Sequence, residues 1–197
     1  MTTRILLAGI LGGIAMFIWT SIAHMFLPLG EKGVRQLPNE AAILDALKSN
    51  LKEARGLYIF PGTGLGPNAT REEKSEAMKR MPEKIASGPS GILIYHPTRA
   101  FALGRRLGVE FATELAEAIL AVFLLSQTGL ASFGGRLGFV TVTGILAAIA
   151  TNVSYWNWYG FPKRYIAAYM FIQLVGFLCV GLVAAFVLRN TPPKSTA

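Results

Sequence analysis

The chain has 197 residues, of which 52% are hydrophobic and 15% charged, whereas an ordinary soluble domain carries about 25% charged residues. That depletion points to the membrane class. The formal net charge of +8 comes from Lys and Arg scattered among acids or placed at the ends of apolar runs, not from a basic face interleaved with aromatics, which excludes nucleic acid as a partner. The single cysteine, Cys179, can form neither an internal disulfide nor a CxxC redox pair.

The first apolar run, Ile5 to Leu27, has the length a hydrocarbon core of about 30 Å demands of a helix. Ser21 and Ala23 could serve as the small residues of a signal-peptide cleavage site. The run continues past them and is longer than a normal signal core, so a retained first span is the expectation.

Residues 28–106 form the only long polar segment. After the turn-rich LPLGEKGVRQLPNE, Asn39 stands as an N-cap, and Ile43, Leu44, Leu47 and Leu51 recur at helical spacing until Gly56. GLYIFPG at 56–62 and GILIYHP at 91–97 read as strands that start at Gly and stop at Pro. Between them, Thr70-Arg71-Glu72-Glu73 is a capping box, opening a helix expected to run to Met81, where Pro82 limits it. PGTGLGPNAT lacks the Lys-Ser/Thr of a P-loop and the GxGxxG spacing, and reads as a connector. His96 reads as a structural loop residue. The expected αβαβ unit holds a two-stranded ribbon, which is marginal alone and should rest on the membrane surface or on a partner.

The second apolar run, Leu107 to Leu130, carries Glu110, Glu114 and Glu117 in its first half. Each such charge at mid-bilayer depth costs roughly 2.5 to 3.5 kcal/mol on the insertion scale. At 100° per residue they fall within about 60° of arc, joined by Thr113 and preceded by Arg106. The third run spans Leu137 to Tyr155 and the fourth Tyr165 to Leu188, with a polar tail at 191–197. Asn152, Tyr155, Tyr169 and Gln173, together with His24 of the first run, lie at the same depth as the glutamates. Small-residue patterns, Gly9-x-x-x-Gly13 and Gly144-x-x-x-Ala148, allow close backbone approach in the opposite halves. Arg105, Arg106, Trp156, Trp158, Tyr159, Lys163 and Arg164 fit interfacial anchors. Anchoring alone would explain the aromatic cluster, and interfacial solvation alone would explain Glu110 and Glu114.

The expected fold is therefore mainly α and integral to the membrane. Residues 1–27 and 107–190 form a four-helix transmembrane bundle, 28–106 form a small α/β extramembrane insertion between the first two spans, and both termini lie on one side. The positive-inside count assigns no side, because including or omitting the long segment reverses it.

FIWTSIAHMFLPLG, GILIYHP and SYWNWYGFP, distributed from the first span to the start of the fourth, give the chain an arrangement that resembles a group of small four-span bacterial inner-membrane proteins without an assigned activity. The resemblance implies a bacterial inner-membrane location and carries over no catalytic residue.

Three functions fit these residues. The leading expectation is a non-enzymatic accessory or scaffolding subunit that docks another membrane protein. The second is a small homo-oligomeric transporter, or a proton- or cation-handling protein, working through the Glu stripe and His24, since ionisable residues in spans mark ion or substrate pathways. A membrane enzyme comes third. The paired Glu-x-x-His motifs of di-iron bundles are absent, no Ser nucleophile with a base can be placed, and neither a metal nor a cofactor is expected.

Overall fold

The computed structural model describes residues 3–190; the expected polar tail at 191–197 lies outside the described residues. Helices α1 (Thr3–Met25), α4 (Leu103–Leu125), α5 (Phe133–Tyr159) and α6 (Lys163–Val187) are long, while α2 (Glu40–Leu51), β1 (Gly56–Phe60), α3 (Arg71–Ser87) and β2 (Gly91–Tyr95) fill the segment between α1 and α4. The protein is mainly helical with one two-stranded sheet. Three helices, α1, α5 and α6, are long and apolar enough to cross a membrane. Helix α4 matches α1 in length, 23 residues each, but Arg105, Arg106 and the three glutamates lower its hydropathy.

The long helices end where local hydrogen bonding says they should, which shifts the expected limits. Helix α5 starts at Phe133, not Leu137, because the Ser132 hydroxyl accepts from the Gly135 N–H at 3.1 Å. It continues past Tyr155 to Tyr159 and stops at Gly160, which takes a left-handed φ of 69°, so the aromatic cluster forms its last turns. Helix α4 stops at Leu125, not Leu130. There Ser126 Oγ donates to the Phe123 carbonyl at 2.6 Å and Thr128 Oγ1 to the Leu125 carbonyl at 2.8 Å, satisfying carbonyls that have no partner further along the helix.

Glycine sets the helix packing. A Cβ on Gly9 would lie 2.9 Å from Ile119 Cα, and one on Gly13 would lie 2.8 Å from Leu115 Cα, so the α1 and α4 backbones meet along that line. Gly12, on another face of α1, meets Val180 of α6, where a Cβ would stand 3.1 Å from Val180 Cγ1. Gly176 takes Met16 against α6 in return, and Gly144 of α5 receives the Phe177 ring. Helix α1 thus holds α4 on one side and α6 on the other, and α6 holds α5; α4 touches α5 and α6 only weakly. The apolar core, including Ala8, Ala118, Ala121, Val122, Val140, Phe177, Val180 and Ala184, occupies the half remote from His24. Arg136 lies at that end as well. It reads from the sequence as a span-end cation, but it is 4% exposed, donating Nε to the Leu130 carbonyl at 3.0 Å and Nη1 to the Leu188 carbonyl, where a cation complements the end of α6.

By its contacts the chain divides into two compact units, one made of the residues up to Val34 and from Phe101 onward, the other Arg35–Ala100. The helical unit reaches beyond residue 27 because the 3-10 turn Leu29–Glu31 folds back onto it. Gly30 lies against the His24 ring, and Gly33, at φ 83°, against the start of α6 at Tyr165.

In the second unit the order is α, β, α, β. The strands pair antiparallel, Gly56 opposite Tyr95 and Phe60 opposite Gly91. The capping box closes both ways, Thr70 N–H to Glu73 Oε2 at 2.8 Å and Glu73 N–H to Thr70 Oγ1 at 3.2 Å. Two local expectations change. Asn39 precedes α2 in a left-handed conformation without a side-chain cap bond, and α3 continues through Pro82 to Ser87, tolerating a residue that costs a helix interior about 3 kcal/mol. Neither α2 nor α3 buries a residue, so the ribbon is not clamped between them. Tyr95 is the unit's one buried side chain among the described residues, and its hydroxyl donates to the Lys52 carbonyl at 3.1 Å.

The glycine contacts predict that Gly13→Ala lowers stability in detergent by about 1 to 3 kcal/mol through overpacking. Gly138→Ala, with nothing within 4 Å of its Cβ, should be neutral or stabilising. Thermal unfolding of both variants checks this, and equal midpoints would contradict the close approach.

Candidate functional site

The loosely joined edge between α4 and α5 holds a cavity of about 520 Å³ at the His24 end of the long helices. That size falls within the usual range for a small-molecule site, roughly 300 to 1,000 Å³. Its polar lining comes from every long helix: Thr20, Ser21 and His24 from α1, Arg106, Glu110, Thr113, Glu114 and Glu117 from α4, Thr151 and Asn152 from α5, Tyr169 and Gln173 from α6. Exposed Arg106, Glu110 and Thr113 lie at its rim, while Glu114, Met16, Asn152 and Ile172 are buried.

Glu114 is the least exposed of the three acids. It is 4% exposed because Gly13 brings α1 against the backbone at Glu114 and Leu115, leaving no room for solvent on that side. The Thr20 hydroxyl is its hydrogen-bonding neighbour, and Glu110 and Glu117 stand near enough to repel it. Its Oε2 is buried and has no partner. A buried polar atom left in that state costs about 1 to 3 kcal/mol.

The opposite wall is tied together. Asn152, 6% exposed, donates Nδ2 to the Ala148 carbonyl at 3.0 Å and to Gln173 Oε1 at 3.3 Å, linking α5 to α6. Trp19 Nε1 donates to the Ile172 carbonyl at 2.8 Å, linking α1 to α6. His24 Nδ1 lies 3.0 Å from the Thr20 carbonyl, which as an acceptor calls for the proton on that nitrogen. The His24 ring meets Tyr169 edge-on at 5.8 Å, and Tyr169 stacks on Tyr165 at 4.4 Å.

The structure brings together seven of the eight residues expected at the polar site: His24, Glu110, Glu114, Glu117, Asn152, Tyr169 and Gln173. Tyr155 is not among the cavity's lining residues. It is exposed and packs on Tyr159 and Phe161, in the last turns of α5, which runs on to Tyr159. The neighbour of Glu114 is Thr20, one turn deeper on α1 than His24, where the sequence suggests His24 or the Asn152 region. Of the expected anchors, Arg106 lines the cavity and lays its guanidinium on the Phe101 ring at 4.7 Å, whereas Arg105, Trp156, Trp158, Tyr159, Lys163 and Arg164 are exposed. The apolar floor of Met16, Phe17 and Ile172 was not legible in the sequence, where these residues look like any lipid-facing side chain. No three His, Cys, Asp or Glu side chains among the described residues are placed to hold one metal ion.

A carboxyl with one hydroxyl partner and a bare oxygen lowers stability. Glu114→Gln should fold, and Glu114→Leu should unfold later than the parent by about 1 to 3 kcal/mol, since it removes a buried unpaired group. Denaturation in a non-ionic detergent checks this, and a Leu variant less stable than the parent would show that Glu114 serves packing. Comparison with protein-family models, with curated proteins and with solved structures finds no match to this chain, and a functional reading therefore rests on the chemistry of the cavity itself.

Proposed function

We propose that this chain is an integral protein of a bacterial inner membrane in which α4 is a fourth span, and that it binds and moves cations through the glutamates of α4. The observation that carries the reading is the buried Glu114 carboxyl, with an unpartnered oxygen, in the wall of a polar cavity. Stability is given up at that position, as functional sites commonly require. Four helices give little room for a path within one subunit, so the working form is a homo-oligomer.

The sidedness of α4 supports its role as a span. Its polar stripe lines the cavity, while Leu120, Phe123 and Leu124 are exposed apolar residues suited to lipid. Turned outward, the three glutamates would each cost roughly 2.5 to 3.5 kcal/mol; lining a cavity relieves that cost.

The accessory-subunit reading stands second, supported by one observation. The ribbon exposes Leu57, Ile59 and Ile94, with Leu57 directly opposite Ile94 in the pairing, an apolar face suited to a partner.

Two measurements test the proposal, the first its topology and the second its function against the accessory reading. In a Cys179→Ala background, cysteines placed at Ser87 and Gly129 should label from opposite membrane faces; labelling from one face would remove α4 as a span. In proteoliposomes, an imposed cation gradient should drive flux above that of empty vesicles, and Glu114→Gln should lower it about tenfold or more, the equivalent of about 1.4 kcal/mol. Flux equal to empty vesicles, with a foreign subunit purifying in fixed stoichiometry, would decide for the accessory reading.

A further inference from the structure

We infer that the cavity accommodates a protonated organic amine with an apolar body, the ammonium lodged against Glu114 and the body against Met16, Phe17 and Ile172. The inference rests on the cation-handling reading and names the substrate class of the same site.

Three observations set the charge of the ligand. The cavity has three carboxylates against Arg106 and His24, and no salt bridge joins Arg106 to any of them, the described ion pair being Lys79 with Glu76. The guanidinium rests on Phe101 instead. An anion would therefore meet carboxyl oxygens that no neighbouring cation engages, whereas a cationic donor would find them as acceptors. The bare Glu114 Oε2 accepts hydrogen bonds and donates none when ionised. An N–H of an ammonium is the charged donor that completes it, with a strength about twice that of a neutral donor.

The remaining observations set its size and polarity. A cavity of about 520 Å³ is far larger than a bare ion needs. Hard divalent ions require six or more oxygen ligands at fixed distances, and the described residues offer no cluster of three metal-binding side chains. Beside Glu114 and Asn152 the lining turns apolar: Met16 and Ile172 are buried, and Phe17 is held edge-on by Phe111 at 5.2 Å. A hydrated alkali ion would gain nothing from that surface, whereas an alkyl or aryl body would be removed from water by it.

The test is calorimetric titration of the purified full chain in non-ionic detergent at pH 7 with 2-phenylethylammonium, with neutral 2-phenylethanol, and with sodium chloride. Saturable binding of the ammonium at least tenfold tighter than the alcohol, weakened at least tenfold in Glu114→Gln and unchanged in Glu83→Gln on the exposed face of α3, is expected. Equal binding of amine and alcohol by the parent protein would overturn the inference without reliance on any variant, as would equal binding by parent and Gln variant. Glu114-dependent flux of sodium or protons with no ammonium binding would refute the amine and leave the cation-handling reading intact. Loss of both would refute both.

Discussion

At Gly9 and Gly13 the backbones of α1 and α4 come so close that even a methyl group would collide with main-chain atoms of Ile119 and Leu115. In lipid the tails are as apolar as any side chain, so helices associate through such close packing and not through exclusion from water. The contact determines the rest of the unit. It commits α4 to α1 and leaves its edge toward α5 loosely joined. It also places the Glu114 backbone against Gly13, which seals one side of that carboxyl while the other faces the cavity. The Gly pair and the glutamate are thus one device.

The same packing explains why the cavity is confined to one end. In the half that contains Ala8, Ala118, Ala121 and Ala184, the interior positions are small and the helices close on one another. Toward His24 the small residues give way to Met16, Phe17, Thr20, Asn152 and Gln173, which line the cavity. Ties from Trp19 to the Ile172 carbonyl and from Asn152 to Gln173 keep α1, α5 and α6 in register there, and the turn carrying Gly30 rests on His24. Helix α4, which carries the acids, has the Thr20 hydroxyl beside Glu114 as its polar neighbour there.

Much of this was legible in the sequence because it depends on periodicity and residue size. Long apolar runs gave the helices, the i, i+4 glycine spacing gave the close approach, and a helical projection put Glu110, Glu114 and Glu117 on one stripe with polar residues of other runs at equal depth. What could not be read depends on local bonding or on three dimensions. The true ends of α4 and α5 follow from hydroxyls bonding to nearby backbone groups at Ser126, Thr128 and Ser132, which hydropathy does not sense. Thr20 as the partner of Glu114 requires the offset between α1 and α4. Arg136 reads as a span-end cation until the Leu130 and Leu188 carbonyls are seen to converge on it.

The central claim is that Glu114 lies between helices, not toward lipid. Solid-state NMR of the protein in bilayers, with 13C-labelled glutamate and threonine and Glu114→Gln to assign the resonance, tests it most directly. The account predicts a carbon–carbon correlation between the Glu114 carboxyl and Thr20, with magnetisation reaching that carboxyl from water. Transfer from lipid acyl chains to the Glu114 carboxyl, with no Thr20 correlation, would contradict it.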